Sequence, residues 1–294
     1  MKGSSVPLSL PRRLATEFSY AARRVPRATL SAKLALGPLV AARRQAADRP
    51  PWSAIFARAF GLAAQEMPVL RQVYVQLPWP RLYQLPAAVA CIVIAREWQG
   101  EPALFFARLK DPAALPLAEI ADRIREAKTA PVESLRDNRR ALAVARLPWP
   151  LRRLVFWLGL NLGRQVPNWY GSFGVSVLGA ERVAISSVIA PWAGFLNYGP
   201  IGPDGVVEVF FSFDHRVMDG LAGAQALQAL ERMLLGPVLA ELRGFPAAFT
   251  GALTYPGSIQ TPANSQHGGT RIVPLPSGAP VAAVSPGSGA IAEG

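Results

Sequence analysis

Apolar and polar positions alternate along this chain with two periods, and the stretches where one gives way to the other mark its elements. PRRLATEFSYAARRVP reads as a helix that opens at Pro11 and closes before Pro26. RATLSAKLAL then alternates, with Leu30, Ala32, Leu34 and Leu36 across Ser31, Lys33 and Ala35, which is a strand pattern. PWSAIFARAFGLAAQEM returns to helical spacing until Pro68. AAVACIVIAREWQGEPALFFARL predicts two strands joined in a hairpin near Gln99-Gly100. LAEIADRIREAK and VESLRDNRRALAVA are two further helices.

From residue 171 the texture shortens. GSFGVSVLG, RVAISSVIA, AGFLNYG and VVEVFFSFD predict four β runs, the last with Val207, Val209, Phe211 and Phe213 on one face. LAGAQALQALERML is a closing helix with Leu227, Leu230 and Leu234 on one stripe, ended by Gly236-Pro237. Residues 1–5 are expected to be loose, and residues 6–245 to form one α/β domain. Residues 246–294 are rich in Gly, Pro, Ser and Ala without a period, a composition that cannot offset its ordering entropy and predicts a disordered tail. No internal repeat is found, although LPWP occurs at 77–80 and again at 147–150.

Composition sharpens this picture at a few points. The 294 residues are 51% hydrophobic, enough for a sizeable core. The net charge of +12 is carried almost wholly by arginine, and suits anionic partners such as a lipid surface or the phosphates of a coenzyme. A GC-rich genome explains the arginine preference equally well. The arginines are scattered through amphipathic helices and no nucleic-acid recognition motif is present, so nucleic acid is not an expected partner. Cys91 is the only cysteine, which excludes an internal disulfide and predicts a reducing cytoplasm. One cysteine and two histidines leave a structural zinc site without ligands. Neither a signal-peptide core nor an uninterrupted apolar run long enough to span a bilayer is expected.

The candidate chemistry lies in FSFDHRVMDG (211–220). His215 stands at the end of a strand; the other histidine, His267, falls in the tail. Gly220 is read as permitting the turn that follows. Taken alone, a lone histidine is more often a satisfied core residue than a catalyst. The full string DHRV-x-DG resembles the signature of the dihydrolipoamide acyltransferase component of 2-oxoacid dehydrogenase complexes. Chloramphenicol acetyltransferase shares that fold and the shorter H-x-x-x-D-G core. VPLSLPRRLA is similar to the family's arginine-bearing opening helix, FARAFGLAAQEMPVL to its next helix, and VACIVIAREWQGEPALFFARLKD to its hairpin. GSFGVSVLG is similar to the family's strand around a serine, here Ser176. The likeness runs in unbroken order over residues 6–245.

This resemblance implies a chloramphenicol acetyltransferase-like α/β (α+β) sandwich, a mixed β-sheet flanked by helices. It implies that His215 is a general base and that Ser176 donates a hydrogen bond to a tetrahedral oxyanion. It makes Asp219 and Gly220 parts of the histidine loop, with Asp219 in a salt bridge to Arg12 or Arg13. It implies a homotrimer, or an assembly of trimers, with His215 facing the Ser176 of a neighbour. The substrate it implies is a coenzyme A thioester or another acyl carrier; no residue is assigned to the coenzyme and no metal is expected.

Three departures stand beside the resemblance. No lysine occupies a lipoyl-type turn, so the acyl group is expected from coenzyme A or from a carrier in trans. Val177 replaces the family's asparagine after the serine. The connection RLPWPLRRLVFWLGLNLGRQVPNWYG is longer than in the family and carries Arg146, Arg152, Arg153 and Arg164 among Trp149, Trp157 and Trp169. Segment 146–170 is read either as a cover for a sheet face or subunit contact, or as a basic amphipathic helix giving peripheral membrane contact. Three functions follow: a stand-alone acyltransferase, an acyltransferase core served by separate lipoyl proteins, and a trimeric scaffold without activity.

Overall fold

The computed structural model describes residues 3–177 and 185–244. In chain order the first half comprises α1 (Leu10–Ala22), β1 (Arg27–Ala35), α2 (Gly37–Gln45), α3 (Trp52–Glu66), β2 (Gln72–Val75), β3 (Arg81–Gln84), β4 (Val89–Trp98) and β5 (Glu101–Lys110). Then follow α4 (Leu117–Thr129), α5 (Arg136–Arg146), α6 (Trp149–Asn161), α7 (Val166–Trp169), β6 (Phe173–Val177), β7 (Gly194–Tyr198), β8 (Val206–Asp214), α8 (Gly220–Met233) and α9 (Leu239–Leu242). Six strands form one mixed sheet in the order β1-β8-β7-β6-β4-β5, and β2 and β3 form a separate hairpin. This is the mixed sheet flanked by helices that the sequence predicts.

Alternation along the strands gives the sheet two apolar faces. Val207, Val209, Phe211 and Phe213 of β8, with Phe173 and Val175 of β6, pack on α3 and α8 in the larger core. Cys91, Phe195 and Trp192 face the other way and meet Leu14 of α1 and Phe156 of α6. A sheet covered on both sides can hold the two parallel pairs, β4 with β6 and β6 with β7. Gly171 (φ +82°) turns the chain into β6, and a Cβ there would lie 2.6 Å from the Val89 carbonyl oxygen.

The structure departs from the sequence reading in several places. RVAISSVIA is not a strand over residues 185–190, which are irregular. The parallel neighbours β6 and β7 need a crossover between them, and the Arg27 guanidinium takes the Ala190 and Trp192 carbonyls. VESLRDNRRALAVA divides at Leu135, whose extended backbone (ψ 124°) separates a single 3₁₀ turn from α5. The closing helix does not end at Gly236-Pro237. After Met233 the chain widens into one π turn over Leu234–Val238 and continues as α9. Pro237 lacks a donor, and the wider turn accommodates it. The predicted tail, residues 246–294, lies outside the described residues, as does the 178–184 part of the same connection.

Candidate active site

The pairing of β8 with β1 runs from Ala35↔Val206 to Arg27↔Asp214, so β8 ends where β1 begins. His215 is the next residue. Its backbone N–H donates to the Pro26 carbonyl at 2.8 Å, which ties the turn to the α1–β1 connection. The imidazole is exposed, with its centroid 6.2 Å from the Phe213 ring. Asp214 is buried, and its two oxygens accept from Arg216 Nε at 2.9 Å and Nη2 at 2.7 Å. The Arg216 guanidinium also lies 4.1 Å from the centre of the Tyr74 ring. Because Asp214 is committed to Arg216, the acid preceding the histidine leaves the imidazole to solvent.

Asp219 caps α8: its Oδ1 accepts from the Ala222 N–H at 2.8 Å. The ion pair expected between Asp219 and Arg12 or Arg13 is not formed among the described residues of one chain. Arg13 instead donates to the Leu8 carbonyl at 3.0 Å. Arg12 lines a cavity of ≈ 300 Å³ shared with Ser176, Phe18, Ile189, Trp192 and Phe195. Gly220 also differs from expectation. It has no positive φ, and a Cβ on it would meet nothing within 4 Å, so the protomer alone does not require glycine there.

Ser176 is half-buried near the end of β6 and pairs with Asn197, which pairs with Phe210 of β8. His215 lies five residues beyond Phe210 along that line. At about 3.3 Å per residue along the strand and about 4.8 Å for each of the two strand spacings crossed, Ser176 and His215 are about 19 Å apart within one chain. The fold therefore brings Ser176 and Arg12 to one end of the sheet, and His215, Asp219 and Gly220 to the other.

Two residues that the sequence reading passed over bear on these ends. Asn197 is the in-register neighbour of Ser176, is only 3% exposed, and its Nδ2 has no hydrogen-bond partner. A polar residue in the otherwise apolar GFLNY run was the available signal. Arg27, at the His215 end, holds the 190–192 backbone and donates to the Ser212 carbonyl at 3.5 Å. Burial lowers its pKa to about 10, against the opposing pull of Asp214. Its place beside Asp214 depends on strand register, which sequence alone did not fix.

Among the described residues no group of three or more His, Cys, Asp or Glu side chains could hold a metal ion, and no helix is long and apolar enough to cross a membrane.

No family model matches the sequence, and no curated protein does. Solved structures do match the fold. A Listeria monocytogenes protein named a probable dihydrolipoamide acetyltransferase superposes with a TM-score of 0.58 at 19% identity, covering 79% of this chain and 94% of its own. The dihydrolipoamide acetyltransferase of Azotobacter vinelandii gives 0.57 at 16% identity, covering 82% and 94%. In that protein a serine, a histidine and an asparagine were studied for their role in catalysis. The cubic core of a pyruvate dehydrogenase multienzyme complex gives 0.55 at 17% identity, again covering 82% and 94%. The chain thus has the fold of dihydrolipoamide acetyltransferase catalytic cores.

Proposed function

We propose that the chain is an acyltransferase that moves an acyl group from a coenzyme A-type thioester to a thiol, hydroxyl or amine acceptor. The observation that carries this reading is the solvent-facing imidazole of His215, held by its backbone at the strand end while Asp214 is occupied elsewhere. In the proposed step His215 takes the proton of the acceptor, and the acceptor's electron pair bonds to the thioester carbonyl carbon. The oxyanion that forms accepts a hydrogen bond from Ser176, with the Asn197 amide as a second donor beside it. The carbon–sulfur bond then breaks, and the departing thiolate receives the proton from the imidazolium.

A gap of about 19 Å does not permit this within one protomer, so the reading includes a trimer in which His215 of one chain faces Ser176 of the next. Arg12 lines the cavity at Ser176, so the same contact gives Asp219 an arginine partner across the interface. The likeness to a cubic core and to acetyltransferase cores supports this assembly.

The test is free-thiol release from acyl-coenzyme A by the purified chain. His215→Ala is expected to lower turnover by about 10²–10⁴-fold. Turnover that stays at background in both the parent and the variant removes the enzyme reading and leaves the inactive scaffold. Turnover that appears only when lipoyl proteins are added favours the core served in trans.

Exposed Trp149, Leu151, Leu154 and Trp157 on α6, with Trp79 before β3 and Leu82 within it, also support peripheral contact with a lipid surface. Phe156 is buried and takes no part in that face. Partition to anionic liposomes is expected to fall when Trp149 and Trp157 are both replaced by alanine. Unchanged partition assigns the face to a subunit contact.

A further inference from the structure

Between α1, β2 and α6 lies a cavity of ≈ 380 Å³. Its lining includes Val25, Val73, Leu154, Phe156, Trp157 and Leu160, together with Asp214 and Arg216 on either side of His215. We propose that this cavity binds the hydrocarbon chain of an acyl substrate longer than acetyl. The inference rests on the transferase reading above and names the substrate class of that same site.

The chemistry of the lining favours a hydrocarbon. Its charged groups are largely spent on one another. Glu17, 1% exposed, accepts from Arg152 at 3.1 Å and from Arg153 at 3.0 Å, and Asp214 holds Arg216. Of the three arginines that line the cavity, two lie against aromatic rings, Arg153 at 3.4 Å from the Tyr20 centroid and Arg216 at 4.1 Å from that of Tyr74. Such a lining offers an ionised ligand little to replace its lost hydration, whereas an apolar chain has no hydrogen bonds to water to lose and gains by leaving it. Arg24 is the exception: it lines the cavity, is exposed, and forms no ion pair among the described residues. It suits an anionic group at the edge, away from the apolar wall.

Size and access point the same way. The volume falls in the range of about 300–1,000 Å³ that accommodates drug-sized ligands, far more than a two-carbon group fills. Leu154 and Trp157 both line the cavity and are exposed, at 48% and 37%, so α6 gives the opening an apolar lip. α6 supplies Leu154, Phe156, Trp157 and Leu160 to the wall, from the connection that the sequence marks as longer than the pattern it resembles.

The test uses the full-length protein and the fluorescent fatty acid cis-parinaric acid. Saturable binding is expected, reversed by dodecanoate and not by butyrate. Ala21→Phe, which projects a ring into the cavity from α1, is expected to weaken binding by roughly tenfold or more. Trp157→Ala, at an exposed position, is expected to weaken it as well and serves if Ala21→Phe does not fold. Absence of saturable binding, equal displacement by both acids, or unchanged affinity in folded variants overturns the assignment. Lost probe binding beside intact acetyl-thioester turnover overturns the cavity alone. Probe binding retained in His215→Ala, with no turnover in either protein, supports the cavity and overturns the transferase reading.

Discussion

Glu17 is a carboxylate almost without exposure, placed between Arg152 and Arg153 so that α1 is locked to α6 by charge. Removing one partner of a buried pair strands the other, at a cost of about 3–5 kcal/mol. Glu17→Leu is therefore expected to lower the denaturant midpoint sharply, and adding Arg152→Leu to recover much of the loss. Cys91 lies in the sheet with 1% exposure, and burial pushes its thiol pKa strongly up. It should resist iodoacetamide in the native protein and react fully in denaturant; rapid native labelling contradicts that placement. At the site, Ser176→Ala is expected to lower kcat by about 10²–10³-fold, the range for loss of one oxyanion donor, with a smaller loss for Asn197→Ala. His215 and Ser176 were legible as candidates because their types and neighbours form a recognisable string. Asn197 was not, since its meaning comes from strand pairing with Ser176.

At the scale of elements, local patterns carried most of the information. The β4–β5 hairpin is found where its turn residues place it: Gln99 has φ 52° and Gly100 φ 80°, both in the left-handed region. Gly100→Val is expected to destabilise the fold by about 1–2 kcal/mol and Gln99→Gly to stabilise it slightly, measured by thermal unfolding. The long helices α1, α3 and α4 and the strand β8 were equally readable, because period and terminal prolines agree. Failures occurred where a distant partner decides. RVAISSVIA has strand composition, yet β6 and β7 pair directly and Arg27 takes two of the carbonyls around it. Pro237 looks like a stop, but the chain passes it in a π turn because Leu234 and Val238 are buried in the core. The β2–β3 hairpin around LPWP was missed, since prolines mask its short strands.

At the scale of the molecule, the sheet acts as a ruler. It fixes Ser176 at one end and His215 at the other, too far apart to share one reacting carbon, and the trimer proposed above is what joins them. The most direct measurement mixes two inactive variants. His215→Ala and Ser176→Ala are expected to be nearly inert alone. After subunit exchange at equal amounts, every mixed trimer contains one intact His215–Ser176 pair, so about one quarter of the parental activity returns. A mixture no more active than its two components, with exchange verified by labelled subunits, contradicts a site shared between chains.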